Sequence, residues 1–195
     1  MLVFNSLKPF VRTLINYIGN GYIYCQVVKI PEKKTKKIKS IDKKITTKYL
    51  TDLSSGKRQY RKKKGLCNYK SLRFGNTIII LKTAKGEDAY KKEKWSEILG
   101  HQITFRKLSI VVFKDERDKI TVRIHKSYLK EIMGLLELSI SKKNQQEFNK
   151  AITFLYNLHK TLRYRGIQIQ ISQILKQIKS LQKSHGTKFQ VPKFF

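Results

Sequence analysis

The sequence predicts an α+β protein with a four-stranded, mostly antiparallel sheet, flanking helices and a C-terminal helical bundle or arm. Three observations predict it. Strand patterns concentrate between Tyr69 and Ile124, helical three- and four-residue spacing dominates from Tyr128 onward, and the charge lies mainly in two blocks outside the strand-rich middle. The charge is +30 over 195 residues, from 43 Lys+Arg against 13 Asp+Glu. At 40% hydrophobic and 11% aromatic residues the chain is too apolar for a disordered basic tail.

Taken in order, Leu7 to Ile18 puts Phe10, Val11, Leu14, Ile15 and Ile18 on one helical face, with Ser6 as N-cap and Pro9 in the first turn. This acid-poor, basic stretch fits either an organelle transit peptide or a docked first helix; its poverty in Arg and Ser favours the helix. Tyr22 to Ile30 alternates as a strand with apolar residues on both faces, and Pro31 ends it. Ile38, Ile41, Ile45, Tyr49 and Leu53 make a single apolar stripe on a helix otherwise rich in Lys and Thr, broken by Ser54, Ser55 and Gly56. Lys57 to Lys64 reads as a short basic helix or turn with Gly65 as a left-handed cap.

Tyr69 to Lys82 contains the buried-strand run Thr77 to Leu81, interrupted at Gly75 and Asn76 by a bulge or tight turn. Asp88 to Leu99 reads as a helix, with acids at its start and Gly100 at its end. Ile103 to Lys114 and Lys119 to Ile124 read as an antiparallel hairpin around Asp115 to Asp118. Three helices follow. The first carries Tyr128, Leu129, Ile132, Leu135 and Leu136; the second starts at Asn144 and Glu147 and carries Phe148, Ile152, Leu155 and Leu158; the third carries Ile171, Ile174, Leu175, Ile178 and Leu181. The third helix has an ambiguous start, since Ile167 to Ile171 alternates like a strand. Thr187 to Phe195 has no period and ends in an aromatic pair. The expected organisation is residues 1–140 as an α+β domain with a basic helical insertion at 32–65, and residues 141–195 as a basic helical region packed on the same domain.

Residues 32–65 carry +11 and residues 141–195 carry +10, around a middle of +6 from Leu66 to Ile140. Such a surface points to a polyanion, with nucleic acid the first partner and an anionic membrane or acidic protein the second. No apolar run is long enough to span a membrane. With 34 Lys against 9 Arg and frequent Ile, the chain fits an AT-rich genome: an organelle, a low-GC bacterium or a mobile element.

In the first block, Lys33, Lys34, Lys36, Lys37, Lys43 and Lys44 lie before and off the apolar stripe, and Lys57, Arg58, Arg61, Lys62, Lys63 and Lys64 crowd the short helix. Lys70 and Arg73 continue the run, and no acid stands between Asp52 and Glu87. Tyr60 and Tyr69 offer rings on which unpaired bases stack. The bland alternative is a solvated loop with Tyr60 packed on the core. In the second block Arg163 and Arg165 precede Lys176, Lys179 and Lys183, a Lys row opposite an Ile stripe, which fits a nucleic-acid groove better than a membrane because the apolar face lacks Trp. Contacts of this kind neutralise phosphates without reading bases.

Catalysis is the rival expectation, with His125, Tyr128, Glu87, Asp88 and Asp115 as its candidates. A two-metal nuclease needs converging carboxylates, and a tyrosine strand-transfer enzyme needs a His pair for its metal, which is missing. His125 beside Tyr128 at a strand-to-helix junction suits a general base, although a histidine there more often caps the helix. Cys25 and Cys67 with His101, His125, His159 and His185 lack zinc-finger spacing, so the thiols read as ordinary and no metal or cofactor is implied. The expectation is therefore an intracellular protein of the cytoplasm, nucleoid or organellar matrix. It binds nucleic acid, structured RNA in a ribonucleoprotein such as a ribosome ahead of DNA; the alternatives are a nuclease- or transposase-like enzyme of a mobile element and a basic scaffold.

Overall fold

The computed structural model describes residues 1–105 and 108–194. Arg106, Lys107 and Phe195 lie outside the described residues, and with them two positions of the strand expected from Ile103 to Lys114 and the last ring of the aromatic pair. The architecture is mixed α+β: the described strands fall in two sheets, the larger one mostly antiparallel, and the chain ends in helices. Two compact units divide it, Met1–Lys107 and Leu108–Phe195.

The first unit contains β1 (Leu2–Phe4), α1 (Leu7–Gly19), β2 (Tyr24–Lys29), a 3-10 turn (Glu32–Lys37), α2 (Ile38–Tyr49), α3 (Ser55–Lys63), β3 (Tyr69–Phe74), β4 (Thr77–Lys82), β5 (Ser96–Glu97) and β6 (Gln102–Phe105). Its sheet has five strands in the order β1-β3-β4-β2-β5, against the four expected, and only β1 pairs in parallel, with β3. β4 lies at the centre because Ile78 to Leu81 is apolar on both faces; all four residues are buried. Register sorts the strands' residues to opposite faces: Ile78 sits beside Arg73 and Val28, and Ile79 beside Leu72 and Val27.

α1 covers one face. Phe10 is fully buried, with ring centroids of Phe4, Phe74 and Phe105 at 5.7, 5.8 and 5.3 Å, so this helix is docked as the periodicity predicts. α2 covers the other face, laying Ile38, Ile41, Ile45 and Tyr49 on Tyr69, Ile78 and Ile80. It stops at Leu50, whose left-handed φ of 50° turns the chain out. Leu53, expected on the same helix, thus lies beyond it.

The helix expected from Asp88 to Leu99 is absent. An irregular segment leads instead into β5, which pairs with β2 at Tyr24 and Cys25. Side chains that read as a helical face are taken up elsewhere: Tyr90 and Trp95 pack against Tyr49 and Tyr69, and Asp88 accepts from Lys82, Tyr69 and the Tyr90 N–H. Long-range contacts override a weak local helical preference here.

The second unit contains β7 (Leu108–Lys114), β8 (Ile120–Ile124), α4 (Lys126–Ser141), α5 (Gln145–Thr161) and α6 (Arg165–Ser184). β7 and β8 pair around the expected turn, but the strand expected from Ile103 to Lys114 starts here only at Leu108, Gln102–Phe105 being a separate strand; the turn is tied by Asp115 Oδ1 accepting from the N–H groups of Arg117 and Lys119, both at 3.0 Å. Asn144 caps α5 by accepting from the Glu147 N–H at 3.1 Å. α6 starts at Arg165, so the ambiguous Ile167 to Ile171 stretch is helical; Ile167, Ile171, Ile174 and Ile178 are buried along one stripe. The tail docks by its aromatics, Phe189 on Phe148 at 4.9 Å and Phe194 on Tyr156 at 5.5 Å.

Candidate nucleic-acid interface

The first basic block is built on two helices and the turn before them. Because the apolar stripe of α2 is committed to the sheet, its remaining positions face outward: Lys43 and Lys44 are exposed, as are Lys33, Lys34, Lys36 and Lys37 of the 3-10 turn. Among the described residues none of these six is in an ion pair.

α3 is short and almost wholly polar, so its position depends on its ends. Ser54 Oγ accepts from the Lys57 N–H at 3.4 Å, and beyond the far end Gly65 adopts φ 68°. Leu66 then pairs with Glu87 as a parallel bridge, and the Cys67 N–H donates to the Glu87 carbonyl at 3.0 Å. Gly86 is required at that contact, since its φ is 112° and a Cβ there would stand 2.5 Å from the Leu66 carbonyl carbon.

Two of its arginines hold the helix down. Arg58 donates to the Leu53 carbonyl, and Arg61 donates to the Cys67 carbonyl from Nε at 3.2 Å and Nη2 at 2.8 Å. Lys57, Lys62, Lys63 and Lys64 are left exposed, with the Tyr60 ring 62% exposed beside them and Lys64 Nζ 5.8 Å from its centroid. Tyr60 is thus a surface ring, with an accessible face for a base.

Three expected members of the block point elsewhere. Tyr69 is only 3% exposed, enclosed by Tyr49, Tyr90 and Trp95 at centroid distances of 5.8, 5.6 and 5.8 Å, so it has no free face for stacking. The strand alternation that placed it beside Lys70 also turns it to the α2 side, and this is the one signal that could have shown it. Arg73 Nε donates to both oxygens of Asp42 at 3.0 Å and is tied to α2. Lys70 lies on the α1 side with Nζ 5.4 Å from the Tyr17 centroid, and burial, then the nearby Arg58 charge, push its pKa down.

Several acids of the first unit are engaged on the α2 side of the sheet, in a cluster that sequence reading missed. Lys82 Nζ stands 2.7 Å from Asp88 Oδ2 and 5.0 Å from the centroids of both Tyr24 and Trp95. Glu93 accepts from Tyr49 Oη at 2.6 Å and Gln26 Nε2 at 3.1 Å, and pairs with Lys48 at 2.6 Å. Burial pushes both carboxyls up, but the donors around each outweigh it and hold Asp88 and Glu93 below their usual range. Glu87 pairs with Lys91 on the surface at 2.8 Å.

In the second unit Lys176, Lys179 and Lys183 are exposed on the side of α6 away from its Ile stripe. Arg163 is exposed, whereas Arg165 is paired with Glu116.

The candidates for catalysis hold structural positions. His125 is the N-cap of α4: its Nδ1 accepts from the Ser127 N–H at 3.3 Å and lies 2.8 Å from Ser127 Oγ. Tyr128 rests edge-on to Phe154 at 6.0 Å, its pKa raised by burial and then by Glu131. Asp88 and Asp115 are committed to the ion pair and the hairpin turn described above. Among the described residues no three His, Cys, Asp or Glu side chains converge as metal ligands. Both thiols are buried, and burial pushes Cys25 up to about 12 and raises Cys67. Among the described residues no helix is long and apolar enough to cross a membrane. No protein-family model, curated protein or solved structure matches the chain.

Proposed function

We propose that this is a basic nucleic-acid-binding protein that grips phosphate backbones, with structured RNA in a ribonucleoprotein, ribosomal or organellar, ahead of DNA. The observation that carries the reading is the separation of charge in the first unit. Acids pair with Arg73, Lys82 and Lys48, while Lys33, Lys34, Lys36, Lys37, Lys43, Lys44 and the α3 lysines stand exposed with no acidic partner among the described residues. A row of such cations along two helices and a turn suits a polyphosphate, which releases its condensed counterions on binding. The row contacts backbone, so affinity depends steeply on salt and weakly on sequence.

Binding of the full chain to a structured RNA and to duplex DNA at 50 and 200 mM salt tests this. About six phosphate contacts predict a loss of about a thousandfold between the two salts. Affinity that hardly changes with salt contradicts the reading. The nuclease- or transposase-like alternative has its own check: on the proposed reading His125→Ala and Tyr128→Phe leave nucleic-acid binding intact, and neither abolishes a cleavage activity. Sequencing the nucleic acid recovered with the protein from its host separates one RNA species from scattered DNA, and an acidic protein or vesicle that displaces neither removes the scaffold alternative.

A further inference from the structure

A cavity of about 390 Å³ opens beneath α3, between that helix and the segments around Gly21 and Ala84. Pockets that hold small ligands run from about 300 to 1,000 Å³, so this one takes a single nucleotide and no extended segment. Its wall is mixed in a specific way. Tyr22, Leu66 and Ala84 supply apolar surface, whereas Arg58, Lys62 and Lys85 bring three cations, and among the described residues no acid lines it. Apolar walls with cations and no counter-charge suit a flat, weakly polar ring attached to a phosphate.

Two polar groups lie at or near the wall. Asn68, 7% exposed, forms part of the wall, and its side chain is half used: Nδ2 donates to the Arg58 carbonyl at 3.0 Å, while Oδ1 has no partner among the described residues. Oδ1 is shielded from solvent, so an exocyclic base amine satisfies it only when the side chain turns toward the cavity. Lys70, near Arg58 but not part of the wall, has its pKa pushed down first by burial and then by the Arg58 charge.

We infer that this cavity receives one unpaired nucleotide of the bound strand, its phosphate against Arg58, Lys62 and Lys85 and its base against Tyr22 and Leu66. The inference rests on the nucleic-acid reading and adds a preference to it: a bulged or single-stranded position is bound better than a continuous duplex.

The test uses the full chain with a short RNA duplex and the same duplex carrying one bulged nucleotide. The bulge binds about tenfold tighter, the gain expected from burying one base. Ala84→Phe fills the cavity without touching its charge, and Gln59→Trp does so from the exposed side of α3. Both variants lose the bulge preference and keep the affinity and salt slope for the paired duplex, with unchanged melting temperatures as the control on folding. Free nucleoside monophosphates erode the preference only at far higher concentration, because a strand-held nucleotide enters at high effective concentration. Equal affinity for the two RNAs, a preference that survives both fillings, or competition by mononucleotides at matched concentration overturns the inference while leaving phosphate binding in place. Failure to bind the paired duplex at any salt overturns the underlying reading instead.

Discussion

Gln170 on α6 pairs its side-chain amide with the backbone of Ile124 in both directions: Oε1 accepts from the Ile124 N–H at 2.7 Å and Nε2 donates to the Ile124 carbonyl at 3.0 Å. The helix thus supplies, from one side chain, the two hydrogen bonds that a neighbouring strand would have given β8 at this point. Gln170→Leu keeps the volume and removes both bonds, leaving the peptide groups of a fully buried residue unsatisfied. Urea unfolding should register a loss of about 1–3 kcal/mol.

Two helical glycines should answer to alanine with opposite signs. A Cβ at Gly166 would stand 2.5 Å from the Val122 carbonyl oxygen and 2.8 Å from the Phe113 ring, so Gly166→Ala forces α6 off β8. At Gly134, within α4, a Cβ meets nothing, and Gly134→Ala should stabilise by about 0.5–1 kcal/mol. Thermal melts of the pair make the comparison; equal shifts contradict it.

Asp88 and Glu93 set an acid limb. Both carboxyls are held below their unfolded values, so the stability they add is fully present above the ordinary carboxylate range and is lost as pH falls through their lower, folded values. Asp88→Asn with Glu93→Gln should flatten the stability profile of that range. The double variant is less stable at pH 7 and converges on the parent as pH drops.

On the proposed reading, phosphate contacts fall to the exposed lysines and not to the paired arginine. Replacing Lys33, Lys34, Lys36 and Lys37 with Gln should lower the salt slope on duplex by about 0.9 for each phosphate no longer neutralised, with little change in melting temperature. Arg73→Gln should do the reverse, because its guanidinium is committed to Asp42: stability falls and the slope holds. Tyr60→Ala should weaken single-strand binding by about 1–3 kcal/mol and leave duplex binding nearly unchanged.

His125→Ala removes the side-chain acceptor at the start of α4 and should cost about 0.5–2 kcal/mol. His125→Asn, an equally good cap, should restore most of it. A catalytic histidine would not be rescued in this way.

Elements with a long, uninterrupted period are legible from residues alone. The Ile stripe of α6, the Asn144 cap of α5, the two-faced apolar run of β4 and the Asp115 turn need no distant partner to be recognised. β1 and β5 are different in kind: Leu2–Phe4 and Ser96–Glu97 are too short to carry a pattern, and only pairing with β3 and β2 makes them strands. The same applies to Tyr90 and Trp95, whose destination is set by Tyr49, far earlier in the chain. In the basic block, exposure of the lysines follows from the α2 stripe, but the inward turns of Arg58, Arg61 and Arg73 depend on carbonyls and a carboxylate that no local spacing reveals.

With Asp42, Asp88 and Glu93 paired within the unit, the exposed cations of the first unit far outnumber its remaining exposed acids, and dissolved anions balance the excess. Added salt therefore acts on the free protein and on its complex in contrary directions: it screens the self-repulsion of the folded chain and steadies it, and it competes with phosphate for the same lysines and loosens the complex. On the proposed reading, the chain in dilute buffer is at its stickiest and its least self-sufficient, and a bound polyanion would also serve as the missing half of its own electrostatics.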